Sequence, residues 1–202
     1  MEGRLQALRG APFLRLFSAR TVSMLGNGTA PVALAFAVLG LPGGGATELG
    51  LVLFARESAQ VLFLLLGGVI ADRLPRYRVM VAADVTAGLS QGAVAVLFLT
   101  DTASLGRLMA LSAVNGATIA FFFPAFTGLV PQIVAADRLQ PANALLRVSH
   151  NSANIVGAAV AGVLVATVGA GWALVGDALS FLCRAALLAG TERRVVSAAK
   201  RP

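Results

Sequence analysis

Six long apolar runs, parted by short turns, constrain this 202-residue chain more than any other feature. They fall at Leu16 to Leu39, Leu49 to Ala71, Val79 to Leu99, Leu105 to Val130, Ala142 to Val168 and Trp172 to Ala189. Each meets the roughly 20 residues that a helix needs to cross a hydrocarbon layer of about 30 Å. Inside lipid an unpaired backbone amide or carbonyl is expensive, so such runs must close their hydrogen bonds within helices. With 57% hydrophobic residues, 12% charged residues and a mean hydropathy of +0.83, the composition lies far outside that of a soluble domain. The chain reads as an all-α integral membrane protein.

Basic residues set its orientation. Arg4, Arg9 and Arg15 precede the first run and Arg20 lies in its opening turns, and Arg73, Arg76 and Arg78 separate the second from the third. Arg138 lies between the fourth and fifth and Arg147 in the opening turns of the fifth, while Arg193, Arg194, Lys200 and Arg201 follow the sixth. Thirteen of the sixteen Lys and Arg residues therefore fall on one side, against Arg107 alone on the other and Arg56 and Arg184 within runs. Cytoplasmic loops carry the positive excess, which places both termini in the cytoplasm; the chain is expected in a plasma (bacterial inner) membrane. The expected organisation is a cytoplasmic N-terminal segment over 1–15, a six-helix transmembrane domain over 16–189 and a basic cytoplasmic tail over 190–202. The first apolar stretch is too long for a signal-peptide core and lacks an obvious cleavage site, so it is expected to stay as a span.

The turn between the second and third runs is the most patterned segment, Gly67-Gly68-Val69-Ile70-Ala71-Asp72-Arg73-Leu74-Pro75-Arg76-Tyr77-Arg78. Two glycines free the end of one helix for close approach by another. Asp72 offers a carboxylate for a helix N-terminus or an arginine, and Pro75 stiffens the turn. The other connections, Gly40 to Glu48, Thr100 to Ser104 and Gly169 to Gly171, are short and small or polar.

Polar residues inside the runs are the candidates for a site, because an ionisable group left in lipid is expensive. Arg56 and Glu57 sit roughly 10 to 12 Å into the second run at 1.5 Å per residue. Adjacent residues do not face each other, so Glu57 needs a partner on another helix; the pair lines a pathway or serves as an interhelical structural contact. Arg147, His150, Asn151 and Asn154 share one face of the fifth run. That face must meet protein or water. Asn27 lies between glycines in the first run, and Asn115 and Thr118 share a face in the fourth, ahead of Phe121-Phe122-Phe123-Pro124. These groups line a solute path or tie helices together. Asp84 and Asp177 are expected as structural partners of an arginine or a helix end. Gly157, or Ala158, with Gly162 gives the fifth run a small-residue packing face.

Several chemistries are excluded. The arginines punctuate apolar runs and do not cluster on one face, which argues against nucleic acid. Cys183 is the single cysteine, so neither an intrachain disulfide nor a metal cluster is available, and it is expected as a small packing residue. Gly43-Gly44-Gly45 lacks the lysine of a phosphate loop, and no zinc-binding or nucleophile constellation appears. An enzyme, a metal and a cofactor are therefore not expected.

The spacing Gly67-Gly68-x-x-Ala71-Asp72-Arg73-x-x-Arg76-x-Arg78 closely resembles the loop 2-3 signature of the major facilitator superfamily. Phe121-Phe122-Phe123-Pro124-Ala125 to Leu129-Val130-Pro131, and Leu139-Gln140-Pro141-Ala142-Asn143-Ala144-Leu145, resemble its macrolide-efflux and enterobactin-exporter branch. The resemblance covers nearly the whole chain and implies half of a major facilitator fold, with six helices arranged as two inverted three-helix repeats. It implies the amino-terminal half of a proton-coupled exporter of a drug-like, siderophore or other lipophilic solute. Gly67, Gly68, Asp72, Arg73, Arg76 and Arg78 would form the conformational switch loop. Asn27, Arg56, Glu57, Asn115, Thr118, Asn151 and Asn154 would be cavity candidates. The partners are then the lipid bilayer, a small-molecule solute and a second six-helix half, either a separate chain or a homodimer copy. The chain departs from the family pattern in carrying Asn27 where an acid is frequent, Ala158 after Gly157 and Ser112 in place of an arginine. The alternative is a truncated or split-gene product acting only as a membrane interaction subunit or an inactive remnant.

Overall fold

The computed structural model describes residues 11–199. Residues 1–10 and 200–202, with Arg4, Arg9, Lys200 and Arg201, lie outside the described residues, as do the side chains of Arg15, Arg20, Asn27, Arg193 and Arg194. The described chain is helical: α1 (Ala11–Leu39), α2 (Ala46–Arg73), α3 (Arg76–Leu99), α4 (Leu105–Ile133), a 3-10 turn (Ala136–Arg138), α5 (Leu139–Val168) and α6 (Ala170–Ala199), with no strand among these residues. Five of these helices, α2 to α6, are long and apolar enough to cross a membrane. In α1 the apolar stretch within the described residues is Gly28–Leu39, shorter than a crossing.

The helices overrun the apolar runs at several ends, for local reasons. α2 starts at Ala46 because Glu48 in its first turn complements the positive helix N-terminus. α4 continues through Pro131 to Ile133, and α5 starts at Leu139 with Pro141 in its first turn, where a missing amide hydrogen breaks no helical bond. Pro75 caps the start of α3 with φ −55°, close to a helical value. Between α5 and α6 a single residue, Gly169, reverses the chain at φ 91° and ψ 160°. Only glycine adopts that backbone without strain. α6 runs on through Ala199, so the stretch expected as a tail after residue 189 is helical as far as it is described.

Apart from α3 and α4, sequential neighbours are not the main packing partners. α2 packs on α4, α4 on α3, α3 on α6, α6 on α1 and α1 on α5, leaving α2 and α5 at the two ends of the succession. Exchanging α1, α2 and α3 with α4, α5 and α6 leaves this set of neighbours unchanged. Small residues set the closest approaches. A Cβ on Gly67 would overlap the Ala120 carbonyl, and one on Gly116 would overlap the Arg56 carbonyl, so α2 and α4 touch backbone to backbone. Gly28 of α1 meets Ala153 and Gly157 of α5 in the same way. Thr21 and Ser149 add a hydroxyl contact of 2.8 Å across that interface. The expected packing face on α5 is thereby corrected: Gly157 is buried, but Ala158 and Gly162 are exposed and Gly162 has open space around it.

Two apolar cores divide the bundle. One, around Met80, Phe126, Leu129 and Leu188, lies toward the α2–α3 turn. The other, around Val38, Val52, Leu108 and Leu174, lies toward the opposite end. Along α3, α4 and α6 the buried polar residues fall between these cores: Asp84, Ser90 and Gln91, then Ser112, Asn115 and Thr118, and Asp177 and Arg184.

Candidate functional site

The polar layer encloses a cavity of about 290 Å³ to which every one of the six helices contributes. Arg56 enters from α2, Asp84 and Gln91 from α3, Asn115 and Thr118 from α4, His150 and Asn154 from α5, and Asp177 and Arg184 from α6. Met24, Ala30 and Leu34 of α1 complete the wall, with Phe122, Phe123 and Phe181 as its aromatic part. Asp84 lies eight residues into α3, about 12 Å from its start, so the charges sit deep in the bundle.

Two of the charges neutralise each other directly. Arg184 donates through Nε to Asp84 Oδ2 at 2.8 Å and through Nη2 to Oδ1, a two-pronged ion pair with both side chains buried. The Arg184 guanidinium also lies 4.2 Å from the Phe122 ring centre and 5.3 Å from that of Phe181, inside cation–π range. Three polar atoms of cavity-lining residues, by contrast, are buried without a hydrogen-bond partner among the described residues: Nε of Arg56, Nδ2 of Asn115 and Oδ1 of Asp177. Asp177 is 1% exposed, and a Cβ on Gly26 of α1 would come within 2.9 Å of its Oδ1, so a glycine leaves room for the carboxylate. On α5 the amide of Asn154 and Nε2 of His150 are 3.2 Å apart and tie together two adjacent turns.

Of the residues expected to line a cavity, Arg56, Asn115, Thr118 and Asn154 do so. Glu57 and Asn151 are exposed on α2 and α5, off the cavity wall, as neighbours of inward residues on a helix must be. The Asn27 side chain lies outside the described residues. Sequence reasoning left Asp84, Asp177 and Arg184 out of the cavity. A signal was present, because Asp177 and Arg184 are seven residues apart and so share a helical face. Phe122 and Phe123 turn to this cavity, whereas Phe121 faces an apolar crevice of about 580 Å³ among α2, α3 and α4. Cys183 is exposed and not a packing residue, because it faces away from α3 and α1 together with Leu179 and Leu187.

The expected switch residues cluster at the α2–α3 turn. Gly67 is buried against α4, while Gly68 has open space. Asp72 and Arg76 form an ion pair at 3.7 Å with the Asp72 side chain 79% exposed. The Arg76 guanidinium occupies the space where a Cβ of Gly128 on α4 would be. Arg73 and Arg78 are exposed at the same end.

Comparison with known proteins agrees with this arrangement. The family described as Transmembrane secretion effector, MFS_3, matches residues 3–201. The multidrug efflux pump Tap of Mycolicibacterium fortuitum is 32% identical over 170 residues, 80% of this chain and 40% of that protein. The enterobactin exporter EntS of Citrobacter koseri is 27% identical over 160 residues, 79% of this chain and 38% of the exporter. An uncharacterized MFS-type transporter, YkuC of Bacillus subtilis, is 26% identical over 177 residues, 87% of this chain and 40% of its own. The chain thus spans about two fifths of the length of these relatives. No solved structure matches it significantly. A match over nearly its entire length, on a bundle of apolar helices around a charged cavity, shows that this multi-pass membrane protein belongs to the major facilitator superfamily of transporters, in the Transmembrane secretion effector family, and corresponds to an amino-terminal half.

Proposed function

We propose that the chain forms the amino-terminal six-helix half of an exporter that moves a drug-like, siderophore or other lipophilic solute out of the cell, coupled to proton entry. The observation that carries this reading is the cavity in which polar side chains from five helices converge deep in an otherwise apolar bundle. Buried charge at that depth is retained at a cost of about 2.5–3.5 kcal/mol per residue, which favours a working site over a packing layer. Two relatives, an enterobactin exporter and a multidrug efflux pump, support the outward direction and a solute of this kind. α1 is the sixth crossing, its apolar Gly28–Leu39 stretch extended by the preceding residues back to Leu16. The neighbour pattern that survives exchange of the first three helices with the last three supports two inverted three-helix repeats.

In this reading both termini are cytoplasmic in a bacterial inner membrane, and a second six-helix half completes the pathway. Arg56, Asn115, Thr118 and Asn154 contact solute, and Asn27 of α1 is a further candidate from the sequence. Glu57 and Asn151 lie on α2 and α5, the end helices of the succession, and face the second half. Gly67, Gly68, Asp72, Arg73, Arg76 and Arg78 form a switch that holds one conformation through contacts across the two halves.

Efflux of ethidium from cells expressing the chain, with and without the protein encoded immediately downstream, tests the proposal. Energy-dependent efflux in the co-expressing cells, abolished by a protonophore and by Arg56→Gln, is the expected result. Two stably inserted proteins that move no dye, or efflux insensitive to the protonophore, would sink the exporter or the coupling part respectively.

A further inference from the structure

The charges on the cavity wall are unevenly matched. Arg184 and Asp84 satisfy each other through two hydrogen bonds. Arg56 on α2 and Asp177 on α6 border the same space, yet no ion pair joins them among the described residues, and Nε of one and Oδ1 of the other are left without partners. Asn115 Nδ2 is a third orphan, a donor like Arg56. Orphaned buried polar atoms are rare because each forfeits its hydration without return, so three on one cavity mark a place meant to be filled. At about 290 Å³ the space stands at the lower edge of the range for ligand pockets, roughly 300–1,000 Å³, and suits a single ring-sized group.

The chemistry of the filler follows from the orphans. Arg56 of α2 offers a cation, Asn115 of α4 an amide donor and Asp177 of α6 a carboxylate, all on the wall of the same space. A lone anion would pair with Arg56 and leave Asp177 facing like charge, and a lone cation would do the reverse. In a low-dielectric site such an unmatched charge discriminates strongly. We propose that the cavity binds a zwitterionic group, its anionic end held by Arg56 and Asn115 and its cationic end by Asp177, with Phe122 and Phe123 packing on the body between them. The aromatic wall and the paired Asp84 and Arg184 then supply shape without adding net charge. This deepens the transport reading above by naming the class of headgroup that the exported solute carries.

The test uses the purified full chain in lipid nanodiscs and three probes of nearly equal size: tyrosine, a zwitterion; tyramine, a cation; and 4-hydroxyphenylpropionate, an anion. Calorimetric titration should give tyrosine the tightest binding, by about tenfold over either charged analogue, which corresponds to about 1.4 kcal/mol. Asp177→Asn should invert the order in favour of the anion, and Arg56→Gln in favour of the cation. A packing role for these residues would weaken all three probes alike. Equal binding of the three probes, no binding, or a charged probe ahead of tyrosine in the unmodified chain overturns the proposal, and that ranking decides the matter where a variant fails to fold. Zwitterion preference without dye efflux would overturn the exporter reading alone, whereas efflux with no charge preference would overturn this inference alone.

Discussion

Arg184 on α6 and Asp84 on α3 are a hundred residues apart in sequence and form a buried, two-pronged ion pair that joins the two central helices of the succession. Removing one partner of such a pair strands the other charge, at about 3–5 kcal/mol, while replacing both with apolar residues of similar volume is close to neutral. Asp84→Leu or Arg184→Met alone should therefore lower the melting temperature of the purified chain sharply, and the double variant should recover most of the loss. Additive losses in the double variant would show that the two residues act separately.

The α2–α4 contact gives a second test. Gly67 and Gly116 each face a backbone carbonyl of the opposite helix, so Gly67→Val or Gly116→Val must push the helices apart, at about 1–3 kcal/mol for overpacking. Gly68→Ala meets open space and should be neutral. Thermal unfolding in detergent separates the two outcomes, and equal effects at positions 67 and 68 would contradict the packing described.

At the α2–α3 turn, Asp72 and Arg76 should behave differently although they pair. The pair is exposed on the Asp72 side, and such pairs contribute about 0–1 kcal/mol. Asp72→Ala should leave the melting temperature nearly unchanged, yet in the complete transporter it should reduce efflux if the loop is a switch. Gly128→Ala displaces the Arg76 guanidinium from its seat and should alter both. Unchanged efflux with Asp72→Ala would remove Asp72 from the switch.

Cys183 supplies a probe of the outer surface. It is exposed on α6 beside exposed Leu179 and Leu187, which marks a lipid-facing stripe. In membranes an apolar maleimide should label it rapidly and a charged, membrane-impermeant maleimide hardly at all. Equal labelling by both reagents would place this face in water.

Much of the architecture was legible in the runs themselves. Length and hydropathy located α2 to α6 because only a helix hides twenty consecutive amides in lipid. The helix ends were less legible: Pro131 and Pro141 look like loop residues, but a proline in the first turn of a helix breaks no helical bond, and Pro131 in the last turn of α4 costs only its own. The cavity was half legible. Arg56, Asn115, Thr118 and Asn154 stand out singly as polar residues in apolar runs, whereas the contribution of Asp84, Asp177 and Arg184 depends on which helices meet. Packing between distant helices leaves no local trace, and so Cys183, set inside an apolar run, faces outward.

The order in which the helices touch has a consequence for biosynthesis. α1 is made before α5 and α6, yet these two are its main neighbours. It must wait in the bilayer without them, its glycines at 26 and 28 facing Asp177 and Ser180 of α6 and Ala153 of α5 only once those helices are in place. The charged cavity closes only when α6 arrives, because that helix brings Asp177 and Arg184.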